Sequence, residues 1–113
     1  MQPSDEHSLK KGTAELLVLA QLDDAPRHGY DIAARIEARS GGAVSFNVAS
    51  LYPILYRLED EGIIAGWWVE RPGQRRRRFY KLTPTGRKRL VQQRETWRAF
   101  MSAVQRAAGL EYA

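Results

Sequence analysis

The chain has 113 residues, of which 43% are hydrophobic and 27% charged, with a net charge of +5 and no cysteine. That length suits one small domain with an appendage, and the composition supplies a core while arguing against a largely disordered chain. It excludes disulfides, thiolate metal sites and a cysteine nucleophile, and the densest apolar run, residues 14–22, falls far short of the roughly 20 residues a bilayer span requires.

Residues 1–11 mix Asp5, Glu6, Lys10 and Lys11 without an apolar stretch and lack the pattern of a secretory leader. They are expected to be either disordered or an extension of the first helix, in a cytoplasmic protein with no membrane partner. Residues 13–23 carry Leu16, Leu17, Val18, Leu19 and Leu22, which predicts a buried first helix ended by the turn-forming residues 23–26. A second helix is expected over 29–39, with Tyr30, Ile32, Ala33 and Ile36 on one side, Asp31 near the N-terminal dipole end and Gly41 and Gly42 beyond its close.

After an extended piece at 44–46, Leu51, Ile54, Leu55 and Leu58 recur at helical spacing up to Gly62. Stepping 100° per residue turns Ala49, Tyr52, Pro53 and Tyr56 away from that buried face, with Ser50 and Arg57 on its flank. Pro53 bears on where this third helix begins. A Ser50 cap would place Pro53 in the first turn, whereas an Asn47 cap places it in the second and removes a hydrogen bond; the reading favours Asn47 with a distorted start. Trp67, Trp68 and Val69, then Pro72 and Gly73, then residues 79–82 predict two strands joined by a turn.

Between residues 71 and 98 stand eleven Lys or Arg against Glu95 alone, a local net of +10 that leaves −5 for the remainder of the +5 total. Such a block is either a solvated basic face or the footprint of a polyanion partner. Three helices followed by a hairpin is the order of a winged helix-turn-helix. In that arrangement the third helix enters the DNA major groove and the hairpin reaches the backbone beside it. The fold class is therefore mainly α (α+β), a winged helix-turn-helix domain over 1–83 followed by a long C-terminal dimerisation helix over 84–113. The DNA-contact candidates are Asn47, Ser50, Tyr52, Pro53, Tyr56 and Arg57 on the third helix, and Gln74, Arg75, Arg76, Arg77 and Arg78 on the wing. The two tyrosines have an alternative role, packing beneath the wing.

The last helix has Thr83 as N-cap, Pro84 at its first position and Gly109 as its stop, about 25 residues spanning roughly 38 Å. Leu90, Arg94, Trp97, Met101, Val104 and Ala108 alternate spacings of four and three, with Phe100 widening the stripe. This is the seam of a helix that pairs with a second copy, unless it folds back on its own domain. Paired copies of Trp97 and Met101 would line a flat slot for a small aromatic effector; plain interface packing is the alternative. His7 and His28 are too far apart to suggest a metal site, and His28 at a helix start suits a structural hydrogen bond. Glu59, Asp60 and Glu61 read as solvated carboxylates, so neither a metal, a cofactor nor an enzymatic activity is expected.

Three ordered motifs carry a resemblance: His28-Gly29-Tyr30-Asp31-Ile32; Ser50-Leu51-Tyr52-Pro53-Ile54-Leu55-Tyr56-Arg57-Leu58-Glu59-Asp60-Glu61-Gly62; and Arg77-Arg78-Phe79-Tyr80-Lys81-Leu82-Thr83 with Gly86. From Gly12 onward the chain resembles the PadR family of bacterial transcriptional regulators, in its short branch with a single C-terminal helix. The resemblance implies a dimeric repressor on a palindromic operator, in many members released by a phenolic acid or hydrophobic drug. Ser50 stands where threonine is common, and four successive arginines make the wing more basic than in many members. The alternative function is an interaction module for protein or RNA without an effector, a use the scaffold can also host.

Overall fold

A computed structural model describes the backbone of residues 3–110 and side chains from residue 12. Among the described residues the order is α1 (Pro3–Gln21), β1 (Arg27–His28), α2 (Gly29–Arg39), α3 (Val48–Asp60), β2 (Ile64–Val69), β3 (Arg77–Leu82) and α4 (Pro84–Ala108). The first helix begins ten residues ahead of the stretch expected from its apolar density. Of residues 1–11, expected to be either disordered or an extension of the first helix, the backbone of 3–11 is helical, while residues 1–2 and the side chains of 3–11 lie outside the described residues.

Local chemistry sets most element ends. The His28 ring caps α2, its Nδ1 accepting the Asp31 amide at 3.3 Å, and the Asn47 Oδ1 caps α3 by accepting the Ala49 amide at 2.9 Å. Pro53 therefore lies inside α3, on its exposed face, where it removes the amide that would bond the Ala49 carbonyl. Thr83 Oγ1 caps α4 by accepting the Gly86 amide at 3.0 Å, Pro84 follows, and Gly109 closes the helix in the left-handed conformation with φ 70°.

The sheet has the order β1-β3-β2, antiparallel throughout, with Ile64 opposite Leu82 and Val69 opposite Arg77. The two-residue β1, opposite Tyr80 and Phe79, is too short for an alternating pattern and was not expected from sequence. Beneath the sheet, Val18, Leu19 and Leu22 of α1, Ile32 and Ile36 of α2, and Leu51, Leu55 and Leu58 of α3 form one core with Ile64, Tyr80, Leu82 and Leu90. Fully burying each large aliphatic side chain contributes about 2 kcal/mol, which makes this cluster the main source of stability. At one edge backbone meets backbone: a Cβ on Gly86 would stand 2.0 Å from the Ile63 carbonyl oxygen, so only glycine lets α4 start there.

Tyr30 departs from its expected inward position and is 58% exposed. It lies one helical step outside the stripe made by Ile32, Ala33 and Ile36, and faces the wing, where Arg77 stands 5.6 Å from its ring. The predicted seam of α4 also divides. Leu90 is only 2% exposed because it completes the chain's own core, so it is not available to a second copy. Arg94 pairs with Asp23 at 3.1 Å, and a Cβ on Gly12 would be 3.9 Å from the half-buried Trp97 ring. Beyond Trp97, Phe100, Met101, Val104 and Ala108 are exposed, and the helix stretches the molecule to 55 × 30 × 29 Å. The architecture is a winged helix-turn-helix domain carrying a helical rod.

Candidate nucleic-acid interface

The third helix presents Ala49, Ser50, Pro53 and Tyr56 to solvent, because Leu51, Leu55 and Leu58 hold the opposite face in the core. Tyr52 is half-buried and its ring lies against Gly29, where an added Cβ would be 3.4 Å away. Tyr52 and Tyr56 stack at 5.9 Å between ring centroids and 21° between planes. Tyr52 packs against the start of α2, while Tyr56 stays 57% exposed.

The wing stands beside that face. Its tip turns through Gly73, whose φ of 73° a side chain would strain, and the Gln74 amide donates to the Arg71 carbonyl at 3.0 Å. Arg75, Arg76 and Arg77 are exposed. The Arg76 guanidinium lies 4.2 Å from the Trp68 ring centroid and 3.6 Å from the Glu70 carboxylate, an exposed pair of little energetic weight. Arg78 differs. It is half-buried and donates to Glu59 of α3, and that hydrogen bond holds its pKa above the ordinary arginine value. It ties the wing to the third helix and is charge-compensated.

Tyr52, Tyr56 and Arg75 to Arg78 are thereby brought around one cleft of about 530 Å³, closed by Trp68, Tyr80 and the first residues of α2. Gln74 faces the neighbouring hollow beside His28, Arg71 and Phe79, and Asn47 and Ser50 sit at the leading end of α3. Burial and the nearby Arg77 cation both lower the His28 pKa, which keeps its ring neutral and able to cap α2. Phe79 meets that ring edge-on at 5.2 Å.

Arg57 leaves the group. It points to the other side of α3, where it donates to Glu61 at 2.8 Å and to Glu15 at 3.4 Å. Glu15, almost fully buried on α1, also accepts from Arg89 at 3.1 Å and from Gln93, so one carboxylate joins α1, α3 and α4. This node was missed in the sequence, where its sole signal is a carboxylate inside an apolar run. The carboxylates of Glu59 and Glu61 are likewise ion-pair partners rather than merely solvated groups.

No helix among the described residues is long and apolar enough to cross a membrane, and those residues hold no cluster of His, Asp or Glu able to bind a metal. Comparison with known proteins agrees with the geometry. A PadR family transcriptional regulator from Eggerthella lenta is 30% identical and superimposes with a TM-score of 0.74, covering 93% of this chain and 89% of that one. PadR from Bacillus subtilis, solved in complex with operator DNA, is 26% identical with a TM-score of 0.65 over 71% of this chain and 45% of its own. An uncharacterized 37.1 kDa protein in transposon TN4556 of Streptomyces fradiae is 39% identical over 101 residues, 85% of this chain, which spans 28% of that protein's length. The model of the transcriptional regulator PadR-like family matches residues 18–92, from the core of α1 through the wing into the docked part of α4. Fold and sequence converge, and the chain belongs to this PadR-like family of transcriptional regulators, which are not enzymes.

Proposed function

We propose that the protein is a homodimeric regulator, acting as a repressor, that binds a palindromic DNA operator through α3 and the wing of each copy. The observation that carries this reading is the juxtaposition of the exposed α3 face, led by Ser50 and Tyr56, with three wing arginines that have no strong acidic partner among the described residues. Arginine forks suit phosphates, while a helix face bearing hydroxyls and a tyrosine suits base edges in a major groove. Two copies joined along α4 would place their third helices about one DNA turn, roughly 34 Å, apart.

The pairing surface is the projecting half of α4, where Phe100, Met101 and Val104 expose apolar area that a second copy would cover. The same seam would bring two copies of Met101 and the open edge of Trp97 together. That is the place for a flat hydrophobic effector able to change the separation of the two third helices.

The test is duplex binding as a function of salt, using fragments the purified protein selects from random duplexes. Replacing Arg75, Arg76 and Arg77 together by alanine is expected to weaken binding at every sequence. The log–log salt slope should flatten by about 0.9 for each phosphate that the variant no longer neutralises. Met101→Asp combined with Val104→Asp should leave a folded monomer in sedimentation runs. A chain that ignores duplexes at low salt, or whose salt slope survives removal of the three arginines, would refute the interface.

A further inference from the structure

The cleft between α3 and the wing has the chemistry of a small-molecule site as well as of a DNA contact. Its volume of about 530 Å³ lies within the roughly 300–1,000 Å³ usual for ligand pockets. One wall is the stacked pair Tyr52 and Tyr56, and the other carries Trp68, 52% exposed, with the Arg76 guanidinium over its face. Tyr80 closes the floor.

The floor holds the most telling atom. Tyr80 is fully buried, and among the described protein groups its hydroxyl makes no hydrogen bond of normal geometry, its one polar interaction being with the Arg78 guanidinium beside it. It lies within electrostatic reach of Arg78, Glu59, Tyr56 and Tyr52, and burial pushes its pKa up to about 12, so at neutral pH it keeps its proton and can donate. A buried hydroxyl left unpaired is costly, and phenylalanine would fill the same space without that cost. A ligand group seated against Tyr80 in the cleft would supply a better partner.

Charge selects the ligand class. Arg78 is compensated by Glu59, but Arg75 and Arg77 have no ion-pair partner among the described residues, and Arg76 has a weak one. A single carboxylate would balance one of these three cations. A phosphate brings up to two charges and the oxygen geometry that guanidinium forks match, while a planar heterocycle suits walls made of tyrosine and tryptophan faces. The positive end of α2, which opens at the rim with Gly29 and Tyr30, adds to the same preference.

We propose that this cleft binds a free nucleotide, with its ring between Tyr56 and Trp68, its phosphate on Arg75 to Arg77, and a ring or sugar acceptor on the Tyr80 hydroxyl. Because Tyr56 and the same arginines are assigned to the operator above, the nucleotide would displace DNA, a consequence that rests on that DNA reading. The shared chemistry, a ring carrying a phosphate, could also come from a unit of the DNA strand itself, and the experiment separates the two sources.

Adenosine monophosphate is titrated into the full chain by calorimetry without DNA, alongside adenosine and inorganic phosphate, and then into the duplex complex followed by anisotropy. The expected result is micromolar binding of the monophosphate, with adenosine and phosphate each at least about tenfold weaker, and release of the duplex. Tyr80→Phe should weaken the monophosphate about fivefold, the loss of one hydrogen bond, while unfolding at a temperature no lower than the parent. Trp68→Ala, at an exposed position, should weaken it about tenfold. Duplex binding with no response to the monophosphate up to about 1 mM overturns the proposal and leaves the DNA reading intact, the cleft then serving the strand alone. Equal affinity in the parent and both variants also overturns it. Monophosphate binding lost in the variants, in a chain that ignores duplexes, sustains the site and removes the DNA reading instead.

Discussion

The third helix separates two regions built from similar residues to opposite ends. On the flank toward α1 and α4 the arginine is tied down: Arg57 pairs with Glu15 and Glu61, and Glu15 in turn with Arg89 and Gln93. On the flank toward the wing, Arg75 and Arg77 have no acidic partner among the described residues, and tyrosine and tryptophan rings stay half open. The difference teaches how to read an arginine. Paired with a buried carboxylate it is scaffold, and left beside exposed aromatic faces it is available to something outside the chain.

That contrast is sharpest where the locked flank meets the core. Leu90 lies at the foot of α4 with almost no exposed surface, so Leu90→Ala should cost about 3 kcal/mol through lost burial and a residual cavity. Urea unfolding at two protein concentrations reads it. A destabilisation that shrinks as the protein is concentrated would instead place Leu90 in an interface between copies and return it to the seam expected from sequence.

Glu15 should show the next largest effect. Glu15→Ala removes the acceptor shared by Arg57, Arg89 and Gln93 and leaves two guanidiniums facing each other across α3 and α4. Those guanidiniums are about one-third exposed, at 33% and 36%, so water screens the change and the expected cost is about 2 kcal/mol. Glu15→Gln, which keeps the shape and two lone pairs, should recover part of it. Equal stability of the alanine variant and the parent would erase the distinction between the two flanks.

How much of this was legible in the sequence follows from the range of the forces involved. The caps Asn47, Thr83 and Gly109 and the bounds of α2 were readable because each is decided within about four residues. β1 was not, because its two residues are a strand only by pairing with Tyr80 and Phe79, some fifty positions away. The apolar stripe of α4 was visible, but a spacing of three and four is the same whether the neighbour is α1 or another copy; its division after Trp97 required the fold. In the candidate site the wing arginines and the face of α3 were legible, since turn and periodicity place them. Glu59 as the partner of Arg78, Tyr30 under Arg77, and Trp68 as a wall depend on a crossing of wing and helix that no local pattern encodes.

On the open flank, side chains should carry little stability. Tyr56→Ala combined with Arg76→Ala is expected to change unfolding free energy by no more than about 1 kcal/mol, the range of ordinary surface replacements, while duplex affinity falls at least about tenfold. Measuring the two properties on one preparation matters. If stability and affinity fell together, the open flank would be scaffold too.

The smallest effect belongs to His28, at the base of that flank. Its ring is uncharged in the folded protein: Nδ1 accepts the Asp31 amide, burial opposes protonation, the Arg77 cation on β3 repels a second charge, and the Asp31 carboxylate on α2 offsets this in part. The folded pKa therefore lies below the ordinary value of 6.5, so above 6.5 both folded and unfolded chains carry a neutral ring and its contribution to stability is complete. As pH falls below 6.5 the unfolded chain binds the proton first, and stability drops until the folded pKa is passed. His28→Asn supplies another good N-cap that does not titrate in this range. Between pH 7 and pH 5 the parent should lose more melting temperature than His28→Asn. Parallel melting curves for the two proteins would mean that the ring titrates freely, and that the open flank begins beyond α2 rather than at its cap.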